Sequence, residues 1–330
     1  MTKGIFDDEL HELSRSSEAR EEYTENQSDA PSSGSITNQG ALPVSLTLGV
    51  YQDLEVTLDP EHGALWWAMR HRGVPNFSSS LLREIKRTHE LAHQMVREKE
   101  PGEPAPVKFL VGCSNMPGVF NLGGDLGLFT HCIQGGERQK LLDYAYACVE
   151  AMYNSACGFD VPIVTIGVVE GDALGGGFEA AVSFNVLIAE RGVKMGLPEV
   201  LFNTFPGMGA YSFLSRKLDA TRAEKLILSG KLYLAEELYD MGLVDVLAEK
   251  GQGRAAASTF MRENARRQPM LYALNKVRQR VNGLTHEELR EVTEIWVDTV
   301  MALDRGDVRK MEVLRAAQLR RVERAQAAMV

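Results

Sequence analysis

Three consecutive glycines, Gly175, Gly176 and Gly177, lie between an apolar run that resembles a strand and a short helical segment. The apolar run is Val161–Val169, and the helical segment is Phe178–Ser183. Glycine tolerates backbone dihedrals and close approaches that a side chain would forbid. A strand, a glycine turn and a helix start together present backbone N–H groups to an anion. The alternative is a tight strand–helix turn that binds nothing.

Two glutamates, Glu179 and Glu199, are twenty positions apart in this region. Glu179 lies in the first turn of the predicted helix, where the helix dipole favours a negative charge. Glu199 ends the turn Gly196–Glu199, which follows a second strand-like run at Val186–Ala189. Two carboxylates near one oxyanion site can act as general acid and general base. The pattern does not say which is which, and Glu179 could instead be a solvated acid of the first helical turn.

Strands and helices alternate before and after this region, which predicts right-handed crossover units. The first two strands, Leu46–Leu58 and Ala64–His71, should form a hairpin around a turn at Asp59–Gly63. Further strands are expected at Val107–Gly112 and Leu243–Leu247. Helices are expected at Ser79–Glu98, Glu137–Ser155, Tyr211–Leu218, Thr221–Leu228 and Ala235–Met241, and through most of Arg254–Val330. The chain is therefore expected to be an α/β protein with a helical end.

The first 42 residues are acidic and lack apolar periodicity, and their last part is rich in Ser, Pro, Gly and Asn. Such a composition is typical of a disordered segment. We therefore divide the chain into an acidic arm at 1–42, a core at 43–250 and a helical region at 251–330.

Composition excludes several classes of protein. The net charge of −9 does not suggest nucleic-acid binding. The four cysteines have no ligand-like spacing, so we expect them to be reduced and mostly buried, as in a cytoplasmic protein. We find no signal peptide and no apolar run long enough to cross a bilayer. No metal or cofactor is predicted.

Several motifs, in the same order, resemble the crotonase (enoyl-CoA hydratase/isomerase) superfamily. They are GDALGGGFEAA, GLPEV, FPGMGAYSFLSRKL and the segment Leu226–Leu247, and the similarity extends from about Val107 to Leu247. The resemblance implies a crotonase-type spiral of ββα units with a helical C-terminal trimerisation region. It implies a homo-oligomer, most simply a trimer.

The resemblance also implies roles for individual residues. Glu179 and Glu199 match the two acids of the hydratases. The backbone N–H groups of Gly124 and Gly176 would form an oxyanion hole for the thioester oxygen. The turn that contains Gly124 could otherwise be an ordinary glycine turn with Asp125 as a helix cap. Residues implied in substrate binding are Gly123, Asp125, Leu174, Gly175, Gly177, Met208 and Gly209.

Within the superfamily, the flanking sequence is most similar to the synthases of diffusible signal factors, which are cis-2-unsaturated fatty acids. The similar segments are GDALGGGFEAAVSFN, GLPEVLFNTFPGMGAYSFLSRKL and Thr293–Asp298. This implies dehydration of a 3-hydroxyacyl thioester on acyl carrier protein, followed by thioester hydrolysis. It also implies sequestration by an inhibitory membrane sensor kinase.

Alternatives remain open at this stage. The segment Trp67–Leu82 shares little with the CoA-entrance motif of ordinary hydratases, which favours a carrier-protein thioester over CoA. Arg70 and Arg72 could meet a phosphate or an acidic carrier protein. Tyr144 and Met152 could line an acyl pocket or pack in the core. The protein could also be an ordinary enoyl-CoA hydratase of fatty-acid oxidation, or a non-catalytic protein that acts through its partners.

Overall fold

The computed structural model describes residues 46–99 and 102–327, with side chains described as far as residue 320. The predicted arm at 1–42 lies outside these residues. The division into a core at 43–250 and a helical region at 251–330 stays a prediction.

Eleven strands occur in the described ranges. They are β1 (Leu46–Thr47), β2 (Leu54–Asp59), β3 (Ala64–Met69), β4 (Phe109–Ser114), β5 (Val119–Asn121), β6 (Val164–Val169), β7 (Asp172–Leu174), β8 (Val186–Glu190), β9 (Lys194–Gly196), β10 (Leu232–Leu234) and β11 (Val246–Ala248). A larger sheet has the order β1-β2-β3-β4-β6-β8-β11, and a smaller sheet has the order β10-β9-β7-β5. The predicted hairpin is present as the antiparallel pair β2–β3.

Eleven helices occur in the same ranges. They are α1 (Ser79–Arg97), α2 (Leu126–Gly135), α3 (Arg138–Cys157), α4 (Gly176–Ser183), α5 (Ala210–Lys217), α6 (Ala220–Ser229), α7 (Ala235–Asp240), α8 (Gly253–Asn264), α9 (Gln268–Val281), α10 (His286–Met301) and α11 (Arg305–Ala327). Short 3-10 turns lie at Gly158–Asp160 and Pro198–Phe202.

The two sheets are built by a repeated strand–strand–helix unit. β4, β6 and β8 are parallel neighbours in the larger sheet. Each is followed by a short strand of the smaller sheet, where β5, β7 and β9 are again parallel neighbours. The predicted α/β spiral of ββα units is therefore confirmed. The repeat places the loops after β5, β7 and β9 side by side.

The central strands of the larger sheet are buried on both faces, which explains why they are continuous apolar runs. In β4, Leu110 packs in one core cluster, while Phe109 and Val111 pack in the other. Helix α8 covers the second face with Ala257 and Met261.

The N-terminal strand was predicted as one element at Leu46–Leu58, and this was wrong. The structure has β1, then an irregular segment, then β2. The Glu84 carboxylate of α1 accepts hydrogen bonds from the backbone N–H groups of Gln52, Asp53 and Leu54. These donors are satisfied without a strand partner, so an alternating sequence here does not require a continuous strand.

The described part of the C-terminal region is helical, as predicted. Helix α10 begins at the cap Thr285, whose hydroxyl accepts the N–H of Glu288. It packs against α3, and α11 packs against α2 and the 3-10 turn Pro198–Phe202. Cys113, Cys132 and Cys148 are buried and Cys157 is partly buried, and all four are free thiols.

Candidate active site

Pairing of β7 with β9 brings together two turns singled out in the sequence, Gly175–Gly177 and Gly196–Glu199. Leu174 is in register with Gly196, and the Gly175 N–H donates to the Gly196 carbonyl over 2.8 Å. Gly175 has a φ of +53°, which glycine adopts without strain. The chain can therefore enter α4 immediately after β7, and Glu179 in the first turn of α4 faces the turn that carries Glu199.

Glu179 is almost completely buried, with 1% of its surface exposed. Its Oε1 atom accepts hydrogen bonds from the backbone N–H groups of Met208, at 2.8 Å, and Ala210, at 2.9 Å. Burial raises the pKa of this carboxyl to about 7, and the two hydrogen bonds oppose the rise because they favour the charged form. Oε1 is thus held in place, and Oε2 is the oxygen left for proton transfer.

Glu199 lies in the first turn of the 3-10 segment, and its Oε2 atom is buried with no hydrogen-bond partner in the described part of the chain. Burial raises its pKa well above the usual range, and the nearby charge of Glu179 raises it further. A Cβ atom at Gly175 would lie 2.5 Å from Glu199 Oε1, so only glycine fits there. Two neighbouring buried carboxyls disfavour each other's ionisation, so they lose their protons in separate steps.

The two proposed oxyanion amides lie at the meeting point of two glycine turns. Gly123 has a φ of +102°, and a Cβ on it would lie 3.0 Å from the Gly176 nitrogen. Within residues 46–99 and 102–327, no hydrogen bond from the N–H of Gly124 or Gly176 to a protein acceptor is present. Both donors are therefore available to a ligand. The Met208 side chain packs against both glycines.

These groups line one cavity with a volume of about 70 Å³. Most of the predicted site residues are in its wall: Glu179, Glu199, Gly123, Gly124, Leu174, Gly175, Gly176 and Met208. The remaining wall is mainly apolar and consists of Leu122, Leu126, Phe129, Pro198, Phe202, Thr204, Gly207, Trp296, Leu314, Ala317 and Gln318.

Three predicted substrate-binding residues do not line this cavity. The Asp125 carboxylate caps α2, where it accepts the N–H groups of Gly127 and Leu128. Gly177 packs so closely against Asn121 that a side chain would overlap its carbonyl oxygen. Gly209 has a φ of +111° and is packed by two apolar side chains. Gly177 and Gly209 are packed against neighbouring groups, whereas Asp125 caps α2 and also lies in the wall of an adjoining cavity.

Sequence analysis missed the wall formed by the C-terminal helices. Trp296 comes from α10, and Leu314, Ala317 and Gln318 come from α11. These residues follow the glycine motifs by more than a hundred positions, and no local pattern distinguishes them from core residues. Tyr144 and Met152 are buried in the core cluster and do not line this cavity, and the Tyr144 hydroxyl donates to the Phe77 carbonyl.

Unsatisfied polar atoms identify this cavity independently of the motifs. In the described part of the chain, eight buried side-chain nitrogen or oxygen atoms lack a hydrogen-bond partner. Four of them belong to residues that line the cavity: Glu199 Oε2, Thr204 Oγ1, Trp296 Nε1 and Gln318 Oε1. Buried polar atoms are normally paired, and their concentration here indicates a ligand site.

A second cavity, of about 430 Å³, adjoins the first and shares Leu126 and Gln318 with it. Its wall includes Arg70, Arg72 and Arg315. Arg70 pairs with Glu55 and Arg72 pairs with Asp53, each at 2.7 Å. The wider cavity therefore has cationic side chains at its wall, next to a smaller apolar one.

The described residues contain no group of three His, Cys, Asp or Glu side chains placed to hold a metal ion. None of their helices combines the length and apolar character that a membrane crossing requires.

The chain is similar to known proteins in sequence. The family model for enoyl-CoA hydratase/isomerase matches residues 107–311. The fatty acid oxidation complex subunit alpha of Pseudomonas aeruginosa is 27% identical over 236 residues, which cover 68% of this chain and 31% of that protein. The mitochondrial methylglutaconyl-CoA hydratase of Homo sapiens is 30% identical over 155 residues, which cover 46% of this chain and 42% of that protein. The matched region thus spans less than half the length of these relatives.

Solved structures share the fold. An enoyl-CoA hydratase from Bacillus halodurans has a TM-score of 0.63 and 19% identity, over 80% of this chain and all of that chain. Pseudomonas aeruginosa DspI has a TM-score of 0.59 and 23% identity, over 76% of this chain and 97% of that chain.

Proposed function

The chain belongs to the enoyl-CoA hydratase/isomerase family, and on that premise we propose that it dehydrates a 3-hydroxyacyl thioester and then hydrolyses the product. Hydrolysis releases a free cis-2-unsaturated fatty acid, which serves as a diffusible signal in quorum sensing. One observation carries the proposal: two buried carboxyls share a mainly apolar cavity with two backbone N–H groups that have no protein acceptor among the described residues.

The two carboxyls have different surroundings, which supports different roles in dehydration. Glu179 receives two backbone hydrogen bonds that favour its ionised form, so it is the base that removes the Cα proton. Glu199 Oε2 receives none, so Glu199 is the protonated acid. The Gly124 and Gly176 amides hold the enolate oxygen, and each such donor contributes about 2.7–4 kcal/mol. Glu199 then protonates the leaving 3-hydroxyl, water departs and the C2–C3 double bond forms.

Hydrolysis uses the same groups with their proton states exchanged. After dehydration Glu179 carries a proton and Glu199 is ionised. Glu199 accepts a proton from water, and the water oxygen attacks the thioester carbon. The same two amides stabilise the tetrahedral oxyanion. Its collapse breaks the C–S bond, and the thiolate leaves with the proton of Glu179. The free acid and the thiol are then released, and the original proton states return.

The substrate carrier is proposed to be an acyl carrier protein, with CoA as the competing choice. The arginines at the wall of the wider cavity, Arg70, Arg72 and Arg315, suit the phosphate of either carrier and the acidic surface of a carrier protein. A trimer in the cytoplasm and inhibition by a membrane sensor kinase are also proposed. Activity that is unchanged by the kinase's receiver domain would contradict the last of these.

The competing function is that of an ordinary enoyl-CoA hydratase. The similarity to a methylglutaconyl-CoA hydratase and to a fatty acid oxidation complex subunit favours it. Such an enzyme would hydrate trans-2-enoyl-CoA and leave the thioester intact.

The test is incubation of the purified protein with a medium-chain 3-hydroxyacyl-carrier protein, with products followed by mass spectrometry. We expect a free cis-2-enoic acid from the wild type. Glu179→Gln and Glu199→Gln should each reduce its formation by about 10²–10⁴-fold, the contribution typical of general acid–base catalysis. Glu249→Gln, at an exposed site, is the matched control and should retain activity.

The other outcomes separate the alternatives. A trans-2-enoyl thioester without free acid would favour the ordinary hydratase. No turnover of carrier-protein or CoA thioesters would contradict both enzymatic functions and favour a role through partners.

A further inference from the structure

Gln318 lies in the wall between the two cavities, on helix α11 and beyond the residues matched by the family model. Its side chain is buried, with 6% of the residue exposed. Nε2 donates a hydrogen bond to the Leu122 carbonyl over 3.1 Å. Because that carbonyl can only accept, the orientation of the amide is determined, and Oε1 is the atom on the other side.

Gln318 Oε1 has no hydrogen-bond partner within the described residues. A buried carbonyl-type oxygen is an acceptor, so the ligand group that matches it is a donor. The position adds a second constraint. Leu122, which holds the Gln318 amide, is two residues before the oxyanion donor Gly124. Gln318 lines both cavities, so it lies between Gly124 and the wider cavity in which the carrier is proposed to bind.

The arm of a carrier-protein or CoA thioester contains a secondary amide two carbon atoms from the sulfur. Its N–H is a donor with no charge, and it follows the thioester directly. The phosphate and the thioester carbonyl are acceptors only, so they do not match Oε1. Among the groups near the reacting carbonyl, this amide N–H and the 3-hydroxyl are the donors. The hydroxyl belongs beside the two carboxyls, which leaves the amide for Gln318.

We propose that Gln318 is a substrate-binding residue whose Oε1 accepts the N–H of the arm amide nearest the thioester sulfur. The inference rests on the proposed function for the presence of a thioester, and it assigns a recognition contact to the C-terminal helix.

The test pairs one change in the protein with one change in the substrate. The first substrate is a medium-chain 3-hydroxyacyl thioester of N-acetylcysteamine, which retains the amide. The second replaces the amide N–H by CH2 and keeps the adjacent carbonyl. For the wild type we expect kcat/KM to be about tenfold higher with the N–H substrate, mainly through KM, as for a lost hydrogen bond in a buried site. Gln318→Met should lose this preference, so that its kcat/KM values for the two substrates are similar.

Leu319→Met, the exposed neighbour on the same helix, is the matched control and should keep the preference. Circular dichroism and thermal unfolding check that each variant is folded. A Gln318→Met variant that still prefers the N–H substrate tenfold would overturn the inference. So would a wild type that does not distinguish the two substrates, and this second result needs no variant.

Calorimetric binding of the two matching thioethers, which cannot be hydrolysed, separates this inference from the proposed reaction. Binding that shows the N–H preference in the wild type and not in Gln318→Met supports Gln318 even if no thioester is turned over. If the thioesters are turned over but the two thioethers bind with equal affinity, the proposed reaction is retained and the Gln318 contact is rejected. Absence of saturable binding to either thioether would reject the contact as well.

Discussion

At the scale of single residues, the candidate site places two carboxyls where their charge is unfavourable. Glu179 is 1% exposed, and Glu199 Oε2 is buried without a partner among the described residues. Burial disfavours the ionised form of both groups, and ionisation of one further disfavours ionisation of the other. This arrangement favours a protonated carboxyl. Ionisation of the buried carboxyls therefore lowers the free energy of unfolding.

Stability should therefore fall as the pH rises through the range in which these carboxyls ionise. The folded-state pKa of Glu179 is about 7, above the ordinary value of 4.5. Between these values the native state binds more protons than the unfolded state, so the free energy of unfolding decreases with pH. Glu179→Gln keeps an oxygen for the Met208 and Ala210 amides. We expect it to be at least about 1 kcal/mol more stable than the wild type at pH 8, with the difference vanishing near pH 4.5.

Urea unfolding at pH 4.5, 6 and 8 measures this difference. Glu249→Gln, on the surface, should follow the wild type throughout. Parallel curves for Glu179→Gln and the wild type would show that the buried carboxyl does not control the pH dependence.

The sequence motifs identified the candidate acids and glycines of the cavity better than the rest of its wall. Glu179, Glu199 and the glycines occur in short motifs whose chemistry is visible locally, and the structure places them at one cavity. Trp296 and Gln318 could not be found in this way, because their positions depend on how two distant helices pack. Asp125 is a further case: its carboxylate caps α2, and the residue lies in the wall of the wider cavity, so its predicted role in substrate binding stays a prediction.

At the scale of elements, the first turn of α4 contains two adjacent glycines with different reasons to be glycine. A Cβ at Gly176 would lie 2.5 Å from Met208 Sδ, which is part of a flexible side chain. A Cβ at Gly177 would overlap the backbone oxygen of Asn121 in β5, which is fixed by the smaller sheet. The first glycine keeps space in the site, and the second lets α4 approach the sheet.

Alanine at Gly177 should therefore change mainly the stability of the fold, and alanine at Gly176 should change mainly the activity. Gly177→Ala should destabilise the fold by about 3 kcal/mol, since the backbone has to shift. Gly176→Ala should leave the melting temperature nearly unchanged, because alanine favours the helix and Met208 can move. It should lower kcat/KM at least about tenfold, since Met208 is pushed toward the oxyanion amides. Calorimetry measures the melting temperatures, and the thioester assay measures kcat/KM. Equal destabilisation by both substitutions would contradict the different roles of the two glycines.

Long elements were predictable and short ones were not. Helix α1 was placed within one residue by its apolar periodicity, and the structure shows that the Ser78 side chain caps it. The strands β7, β9 and β10 have three residues each, too few to show a period. They form the smaller sheet that brings Glu179 and Glu199 together, so the sequence indicated the pair without showing how it is assembled.

At the scale of the whole molecule, the C-terminal helices line the candidate site on one side and expose apolar side chains on another. One face of α10 and α11 closes the candidate site, as Trp296 and Gln318 show. Helix α9 instead presents apolar side chains outward at Met270, Leu274, Val277 and Val281, the last 81% exposed. The spacing of four, three and four residues places them in one stripe along the helix. A continuous apolar stripe of this kind is typical of an interface.

We predict that this stripe holds the trimer together. The expected mass is three times 36.5 kDa, about 110 kDa, measured by light scattering after size exclusion. Leu274→Glu places a charge in the middle of the stripe and should give monomers, because an unpaired charge is costly to bury. Leu228→Glu, at an exposed leucine on α6, is the matched control and should leave the mass unchanged. A monomeric wild type would reject the trimer, and a trimeric Leu274→Glu would assign the interface to another surface. If the monomer still binds thioethers with the N–H preference, each chain holds a complete site behind its own α11.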